Sequence, residues 1–363
     1  MSKTAEKTII KYQSEFERVL TSICEAKDKK PSRIDEVRNG QTDTLKRVVI
    51  FEDQSYFIKI GEKVDQENKI YRNKFFENNS LFLKPIEKFS ADNVLVLPYF
   101  DGNDLEDDLI QSNITLNSER IEFLDKLLHK VFTSFWEQNL QKSPIEIRAI
   151  KKYIDQRIEP FFEERKELKG IFFKPVVYQI NGEGVSLPSI NEMVAKVLSS
   201  FSSIKHGLSS CVIGDFQPSN ILFSEESLKI VDLSNGAESG DMALDLGKFF
   251  NFINRFYLIA QIRSGLSVGK INDIPREAKL EIKSINRLPL LQQKIVENLE
   301  EKISEFVVSQ TGDYNFPDRL KLFKFITNLI TTPRHVRLGV PLEKMLSVIV
   351  DSYYELESKV YNI

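Results

Sequence analysis

The chain has 363 residues, which is more than one average domain of about 150 residues. Its 41% hydrophobic and 28% charged residues are ordinary globular proportions and exclude a disordered chain. Fifty Lys and Arg residues against 53 Asp and Glu give a net charge of −3, so a strong cationic field is absent and general nucleic-acid binding is not expected.

The sequence also favours a cytoplasmic location. Its two cysteines, Cys24 and Cys211, cannot build a disulfide scaffold and indicate reduced thiols. No run approaches the ~20 apolar residues that a membrane helix needs. The polar stretch 1–7 lacks the apolar core of a signal peptide. We therefore expect a soluble protein with no membrane partner.

Hydrophobic periodicity predicts a small lobe that follows an N-terminal helical extension. The extension covers residues 1–30, where apolar residues recur at helical spacing. The small lobe spans 31–100 and combines strands with one helix. Its predicted elements are a strand pair across the turn 39–43, a hairpin over 48–60, a helix over 65–76, and strands over 81–89 and 94–99.

Beyond the break at 101–104 the pattern becomes mostly helical, which predicts a larger lobe over 101–363. The stretch 170–188 indicates a hairpin insertion, because the apolar run Val176-Val177-Tyr178 is followed by the turn residues Gly182-Glu183-Gly184. The predicted helices cover 118–139, 144–168, 189–205, 242–265, 287–310, 317–331 and 341–360.

One stretch carries candidate chemistry. An apolar strand leads to Asp215, and Asn220 then enters a second apolar strand. A polar turn over 224–227 reverses the chain, so Asp232 ends at the same end of the hairpin at which Asn220 begins. Two carboxylates and an amide oxygen are hard ligands of the kind that Mg²⁺ accepts together with phosphate oxygens.

Phosphoryl transfer requires such a set. Metal must neutralise the charge of the transferred group, and the attacking hydroxyl must be aligned and lose its proton. A carboxylate that is not bound to metal suits the second task. The Asp-x-x-x-x-Asn spacing from Asp215 to Asn220 matches the protein-kinase catalytic loop, and Asp232 stands where the metal-binding aspartate follows.

Three spaced elements together resemble the aminoglycoside phosphotransferase/choline kinase family. These elements are Gly214-Asp215-x-x-x-x-Asn220, Val231-Asp232 and Gly240-Asp241-x-x-x-Asp245-Leu246. The resemblance implies a two-lobed, protein-kinase-like α+β fold, with a small antiparallel-sheet N-lobe that binds nucleotide and a large, mainly helical C-lobe for catalysis and substrate. It implies transfer of the γ-phosphoryl group of ATP or GTP to a hydroxyl of a small molecule.

The same resemblance assigns roles to residues. It implies that Asp215 is the catalytic base, that Asn220 and Asp232 bind Mg²⁺, and that Asp241 and Asp245 are structural. Lys59, in an apolar strand, resembles the lysine that holds the nucleotide phosphates, and Glu67 would pair with it. The other nucleotide-binding candidates are Asn39, Gly40, Gln41 and Thr42 of a phosphate-covering turn, with Leu97 and Tyr99 beside the base.

Two alternatives stay open. A protein kinase shares the chemistry, but the long stretch between Gly102 and Asp215 and the lack of an Ala-Pro-Glu-like segment after Asp232 oppose it. A nucleotide-binding pseudokinase with a regulatory role is favoured by Ile213, which stands where the family usually has a histidine. Retention of all three candidate polar residues opposes that alternative.

Overall fold

The computed structural model describes residues 3–37, 44–62, 64–111, 116–180, 182–204, 206–225, 227–233, 235–254, 279–283, 290–337 and 339–360. The fold is α+β, with a small antiparallel-sheet N-lobe and a larger helical C-lobe, as the sequence indicates. The chain forms two compact units. Unit 1 contains residues 1–108, 131–139 and 211–240, and unit 2 contains 109–130, 140–210 and 241–363.

The strands and helices are numbered here in chain order. The strands are β1 Arg33–Glu36, β2 Leu45–Ile50, β3 Ser55–Ile60, β4 Val94–Pro98, β5 Asn103–Asp104, β6 Gln141–Pro144, β7 Val176–Ile180, β8 Glu183–Leu187, β9 His206–Val212, β10 Ile221–Phe223, β11 Leu228–Ile230, β12 Ala237–Asp241 and β13 Leu280–Lys283. The helices are α1 Lys3–Lys27, α2 Val64–Tyr71, α3 Lys74–Glu77, α4 Leu105–Gln111, α5 Ser118–Val131, α6 Ile147–Glu164, α7 Lys166–Lys169, α8 Ile190–Ser203, α9 Met242–Asn254, α10 Leu290–Thr311, α11 Phe316–Arg337 and α12 Leu342–Val360. Over the described ranges, none of these helices has the length and apolarity to cross a membrane.

The main sheet of unit 1 is antiparallel throughout, in the order β1-β2-β3-β4. Helix α1 confirms the predicted helical extension and packs on one face of this sheet. Its buried side chains Tyr12, Phe16, Val19 and Ile23 recur every three or four residues and form one core cluster with the strands. Because strand side chains alternate, the residues between those of the cluster lie on the opposite face of the sheet.

A second sheet in unit 1 has the order β11-β10-β5, and its β10–β11 hairpin confirms the predicted chain reversal. Beside it lies an aromatic cluster of Phe76, Phe82 and Phe135, with ring centroids 5.0–5.1 Å apart. Phe135 belongs to the π-helical turn Phe132–Trp136 that continues α5. This cluster anchors α3 to the segment that follows it.

The strand predicted over 81–89 is wrong. The segment makes only an isolated bridge, from Phe82 to Ile230, and otherwise runs as loop and turns. Pro85 has no N–H to donate to a ladder, and Phe82 is buried in the aromatic cluster. The helix predicted over 65–76 is divided at Asn73, whose side chain accepts a hydrogen bond from Phe75 N at 3.0 Å and caps α3.

In unit 2, the predicted hairpin insertion is confirmed as β7 and β8, and β13 pairs with β7 in parallel. The predicted C-lobe helices are present where they are described, with two differences: 132–139 forms a π-helical turn and a 3₁₀ turn, and residue 144 belongs to β6. Residues 205, 255–265 and 287–289 of these predictions lie outside the described residues. Helix α8 begins with a capping box, because Ser189 and Glu192 exchange side-chain and backbone hydrogen bonds. Helices α9 and α11 pack extensively against each other and form the centre of the unit.

Candidate active site

Lys59 lies on the face of the main sheet that α1 does not cover. It occupies β3 between Ile58 and Ile60, which both belong to the α1 cluster. Only 6% of the residue is exposed. A buried ammonium is costly without a partner of opposite charge, so the position requires carboxylates nearby.

Two carboxylates meet this ammonium. Lys59 Nζ lies 2.5 Å from Glu67 Oε2 and 3.2 Å from Asp232 Oδ1. Glu67, which is 2% exposed, comes from the first turn of α2. Burial alone lowers the pKa of Lys59, but the charges of Asp232 and Glu67 outweigh burial and leave that pKa above its ordinary value. Lys59 is therefore held as a cation.

The loop after β9 is shaped by Gly214. Its φ of 78° lies in the left-handed region, and a Cβ there would fall 1.8 Å from the carbonyl oxygen of Asn235. Only glycine fits this backbone. Ile213, which precedes it, is fully buried, so the position where the family usually has a histidine is filled by apolar packing.

Asp215 and Asn220 are joined directly. Asn220 Nδ2 lies 2.9 Å from the backbone oxygen of Asp215 and 3.3 Å from its Oδ2, and Gln217 Nε2 donates to the same Oδ2 at 3.2 Å. Pro218 begins the 3₁₀ turn that ends at Asn220. The amide nitrogen of Asn220 is therefore turned toward Asp215.

Asp232 follows β11 at the end of the hairpin where β10 begins. The backbone N–H of Val231 donates to the Asn220 carbonyl at 2.9 Å, which ties the two candidate metal ligands together. The φ of Asp232 is 60°, a left-handed conformation that aspartate tolerates better than most residues. Its side chain is 31% exposed, so its carboxylate contacts Lys59 and also reaches solvent.

Helix α2 packs against the segment that follows Asp232. A Cβ on Gly236 would meet the side chain of Ile70 at 2.9 Å. One turn after Glu67, the buried Tyr71 lies in the same environment. Burial first, and then the negative charges of Glu67 and Asp232, raise the pKa of Tyr71 well above its ordinary value, so its hydroxyl stays protonated.

The structure brings five of the predicted site residues into one unit with connected contacts: Lys59, Glu67, Asp215, Asn220 and Asp232. The predicted turn of Asn39, Gly40, Gln41 and Thr42 lies outside the described residues. Sequence reasoning missed Gln217 and Tyr71, although Gln217 lies inside the motif and Tyr71 is one helical turn after Glu67.

Leu97 and Tyr99 lie at the end of β4 and just beyond it. The N–H of Tyr99 donates to the Ser55 carbonyl at 2.9 Å and is committed to the sheet. Leu97 lies two residues before Tyr99 and pairs with Phe57. Its backbone N–H and C=O therefore also point toward β3, because backbone groups alternate between the two edges of a strand. The Pro98 carbonyl between them points to the opposite edge of β4. The side chain of Leu97 stays on the sheet face that carries Lys59.

The polar set fits Mg²⁺ in the chemistry of its donors. Asp232 offers a partly exposed carboxylate and Asn220 an amide oxygen, and phosphate oxygens and water would complete an octahedron. Among the residues that the structure describes, three or more His, Cys, Asp or Glu side chains nowhere form a metal-binding group.

The second Gly-Asp element is built into the core of unit 2. Asp241 Oδ1 accepts a hydrogen bond from Ala243 N at 3.0 Å, which caps α9. Its other oxygen lies 2.7 Å from Nε of Arg319, a fully buried residue that sequence reasoning did not single out. Asp245 is also fully buried, in the first turn of α9. These contacts agree with the structural roles that the resemblance implies.

Comparison with known proteins shows similarity in fold but not in sequence. The sequence matches no protein-family model and no curated protein. The structure is similar to choline kinase LicA from Streptococcus pneumoniae, with a TM-score of 0.51 at 12% identity over 96% of this chain and 100% of that one. It is also similar to a glucosamine kinase bound to glucosamine, ADP and phosphate (TM-score 0.52, 13% identity, 90% of this chain and 83% of that one). A thermostable aminoglycoside phosphotransferase APH(4)-Ia gives a TM-score of 0.50 at 10% identity, over 94% of this chain and 98% of that one.

This chain has the aminoglycoside phosphotransferase/choline kinase fold. The resemblance noted in the sequence is thereby confirmed at the level of fold. In this kinase-like fold the site in unit 1 lies on the small sheet, on α2 and on the loops that bracket β10 and β11.

Proposed function

We propose that the protein is a small-molecule kinase that transfers the γ-phosphoryl group of ATP or GTP to a hydroxyl group of its substrate. The observation that carries the proposal is the joined polar set of unit 1. In that set Lys59 bridges Glu67 and Asp232, and Asn220 contacts both Asp215 and the residue before Asp232. The glucosamine kinase with ADP, and an APH(4)-Ia variant with AMP-PNP and hygromycin B, support a nucleotide and a hydroxyl substrate.

The nucleotide would lie along the sheet face that carries Lys59. Leu97, Val48 and Phe57 form an apolar row across three strands on this face, suited to a base. Lys59 lies two residues further along β3, about 7 Å away, and its ammonium would contact the phosphates. Glu67 would keep that ammonium oriented through its 2.5 Å contact. On the strand edge, the Pro98 carbonyl would accept a hydrogen bond from the base.

Asp215 would act on the acceptor. Its carboxylate is oriented by Asn220 and Gln217 and would accept the proton of the substrate hydroxyl. The hydroxyl oxygen forms a bond to the γ-phosphorus while the bond between that phosphorus and the β–γ bridging oxygen breaks, which releases the nucleoside diphosphate. Bound Mg²⁺ would neutralise charge on the β- and γ-phosphates, and Asn220 and Asp232 would hold it.

The test combines nucleotide binding with product detection. The wild-type chain is incubated with Mg²⁺-ATP and a mixture of hydroxyl metabolites, and products that gain one phosphoryl group are detected by mass spectrometry. We expect Asp215→Asn to lower turnover by about 10²–10⁴-fold, the usual contribution of a general base. Asp53→Asn, on an exposed carboxylate of the β2–β3 turn, is the matched control and should retain full turnover.

The regulatory alternative predicts a different result. If the wild type and Asp215→Asn bind nucleotide equally and neither yields a phosphorylated product from a broad mixture, the chain is a binding module. The fully buried Ile213, which stands where the family usually has a histidine, would then account for the loss of catalysis. Phosphorylation of a protein but of no small molecule would instead support the protein-kinase alternative.

A further inference from the structure

A second lysine shares the face of Lys59. Lys46 on β2 is the direct cross-strand partner of Lys59 in the antiparallel register, and Leu95 on β4 completes the row. Directly opposed residues on such strands lie on the same face, with Cβ atoms about 4.5–5.5 Å apart. The side chain of Lys46 is half-buried. Two ammonium groups therefore share one face of the sheet.

Lys46 also faces the carboxylates of the site. Burial raises the pKa of the Glu67 carboxyl above its ordinary value, and the positive charges of Lys59 and, to a smaller extent, Lys46 act against that rise. Glu67 already contacts Lys59 at 2.5 Å. The field of Lys46 consequently reaches the same space as the Lys59 ammonium.

Like charges placed directly opposite each other destabilise a sheet. The two described carboxylates that contact Lys59 are Glu67 and Asp232, and Asp232 is a proposed metal ligand. The phosphate chain of a nucleotide carries several negative charges in a row, and this chemistry can contact two neighbouring ammonium groups.

The next row of cross-strand neighbours on the same face indicates how a ligand would be oriented. Two residues along the strands, about 7 Å away, the row consists of Val48, Phe57 and Leu97. One row is thus apolar and the next is cationic on two of its three strands. A ligand with a flat apolar base and a phosphate chain matches this order.

We propose that Lys46 is a second phosphate-binding lysine, which contacts the phosphate chain of the nucleotide beside Lys59. The inference rests on the proposed function and adds a binding residue on β2 to it. Because Lys46 is the second residue of β2, its ammonium would approach the phosphates from the β2 side. Lys59 would approach them from β3.

The test measures affinity rather than turnover. Isothermal titration of ATP, ADP, AMP and adenosine in the presence of Mg²⁺ is carried out on the wild type, Lys46→Met and Lys46→Arg. We expect Lys46→Met to weaken ATP binding by about 10- to 100-fold, as loss of one charge-assisted hydrogen bond does, and to leave adenosine binding unchanged. Lys46→Arg should restore most of the ATP affinity, since it keeps the charge.

Lys69→Met is the matched control, because this lysine is exposed on α2 and pairs with Asp65. Its ATP affinity should equal that of the wild type. Tight ATP binding that is unchanged in Lys46→Met would overturn the role of Lys46 and leave the proposed function intact. An equal loss of ATP and adenosine affinity would also overturn it, because the substitution would then act on the sheet. A wild type that binds none of the four ligands would overturn the proposed function itself.

Discussion

In both units a buried cation lies between two carboxylates. In unit 1 the cation is Lys59, with Glu67 at 2.5 Å and Asp232 at 3.2 Å. In unit 2 it is Arg319, with Asp241 at 2.7 Å and Asp313 at 2.6 Å. The two clusters have the same charges but differ in closure and in geometry.

The arginine cluster is almost closed to solvent, since the side chains of Asp241 and Asp313 are only 15% and 10% exposed. The Arg319 side chain is 0% exposed, and two of its nitrogens donate to the two oxygens of Asp241. A Cβ on Gly207 would lie 3.1 Å from the guanidinium nitrogen, so the chain closes directly over the group. This arrangement fits a structural role, since fork geometry and full burial hold every partner in place.

The lysine cluster is open at one carboxylate. Glu67 is sealed, with a side chain that is 3% exposed, but the Asp232 side chain is 31% exposed and makes the longer contact. Its backbone is held in the left-handed region. The proposed nucleotide binding requires such an accessible carboxylate. The exposure of Asp232 separates the two clusters although their charges are the same.

The largest expected effect is on the arginine cluster. Arg319→Met leaves Asp241 and Asp313 buried without their cation, and breaking a buried pair in this way costs about 3–5 kcal/mol. Urea unfolding measures the loss. Arg337→Met, which removes an exposed pair with Glu164, is the control and should change stability by less than about 1 kcal/mol. A comparably small loss for Arg319→Met would contradict the structural reading of this cluster.

A smaller loss of stability is expected at the lysine cluster, with a complete loss of function. Lys59→Met should cost about 3 kcal/mol, the lower end for a broken buried pair, because Glu67 can take up a proton and Asp232 is partly solvated. Replacing both partners by apolar groups, in Lys59→Met/Glu67→Leu, should recover most of that stability. Neither variant should bind ATP.

Urea unfolding and ATP titration of the same samples separate these two effects. The comparison between clusters fails if the double variant regains ATP affinity together with stability. It also fails if the single variant keeps wild-type affinity, because Lys59 would then have the same purely structural role as Arg319.

The sequence predicted those elements whose apolar residues recur with a clear local period. The buried stripe of α1 and the hairpin β10–β11 follow from periods of 3.6 and 2. The hairpin in turn brings Asn220 and Asp232 to one end, where the bond from Val231 N to Asn220 O joins them. The strand predicted over Leu81–Phe89 is wrong because a short apolar run has no period that distinguishes a strand from a buried loop. In this loop Phe82 packs against aromatic rings from two other segments.

Contacts that depend on register or on distant packing could not be predicted. The pairing of Lys46 with Lys59 requires the exact alignment of β2 and β3, and a shift of one residue would turn Lys46 to the other face. Arg319 lies 78 residues from its partner Asp241, and no local pattern connects them. The left-handed backbone of Asp232 is likewise fixed by its surroundings and not by residue type.

The buried carboxyl of Asp351 extends the comparison to pH. Asp351 on α12 accepts a hydrogen bond from the hydroxyl of Tyr178, and burial, followed by the negative charge of Glu355, raises its pKa to about 8. The folded state therefore keeps a proton that the unfolded state loses near its ordinary pKa of 3.8. This contribution to stability is complete below that value and is lost as the pH rises through about 8.

The expected effect is a change of the free energy of unfolding with pH. Between pH 5 and pH 7, the stability of the wild type should fall relative to Asp351→Asn by about 1.4 kcal/mol per pH unit, because the amide carries no titrating proton. Urea unfolding at several pH values measures the difference, with Asp318→Asn on an exposed carboxyl of α11 as the control whose difference stays constant. A flat difference for Asp351→Asn would mean that Asp351 is ionised in the folded protein. Its surroundings would then have to supply the compensation that Arg319 gives Asp241.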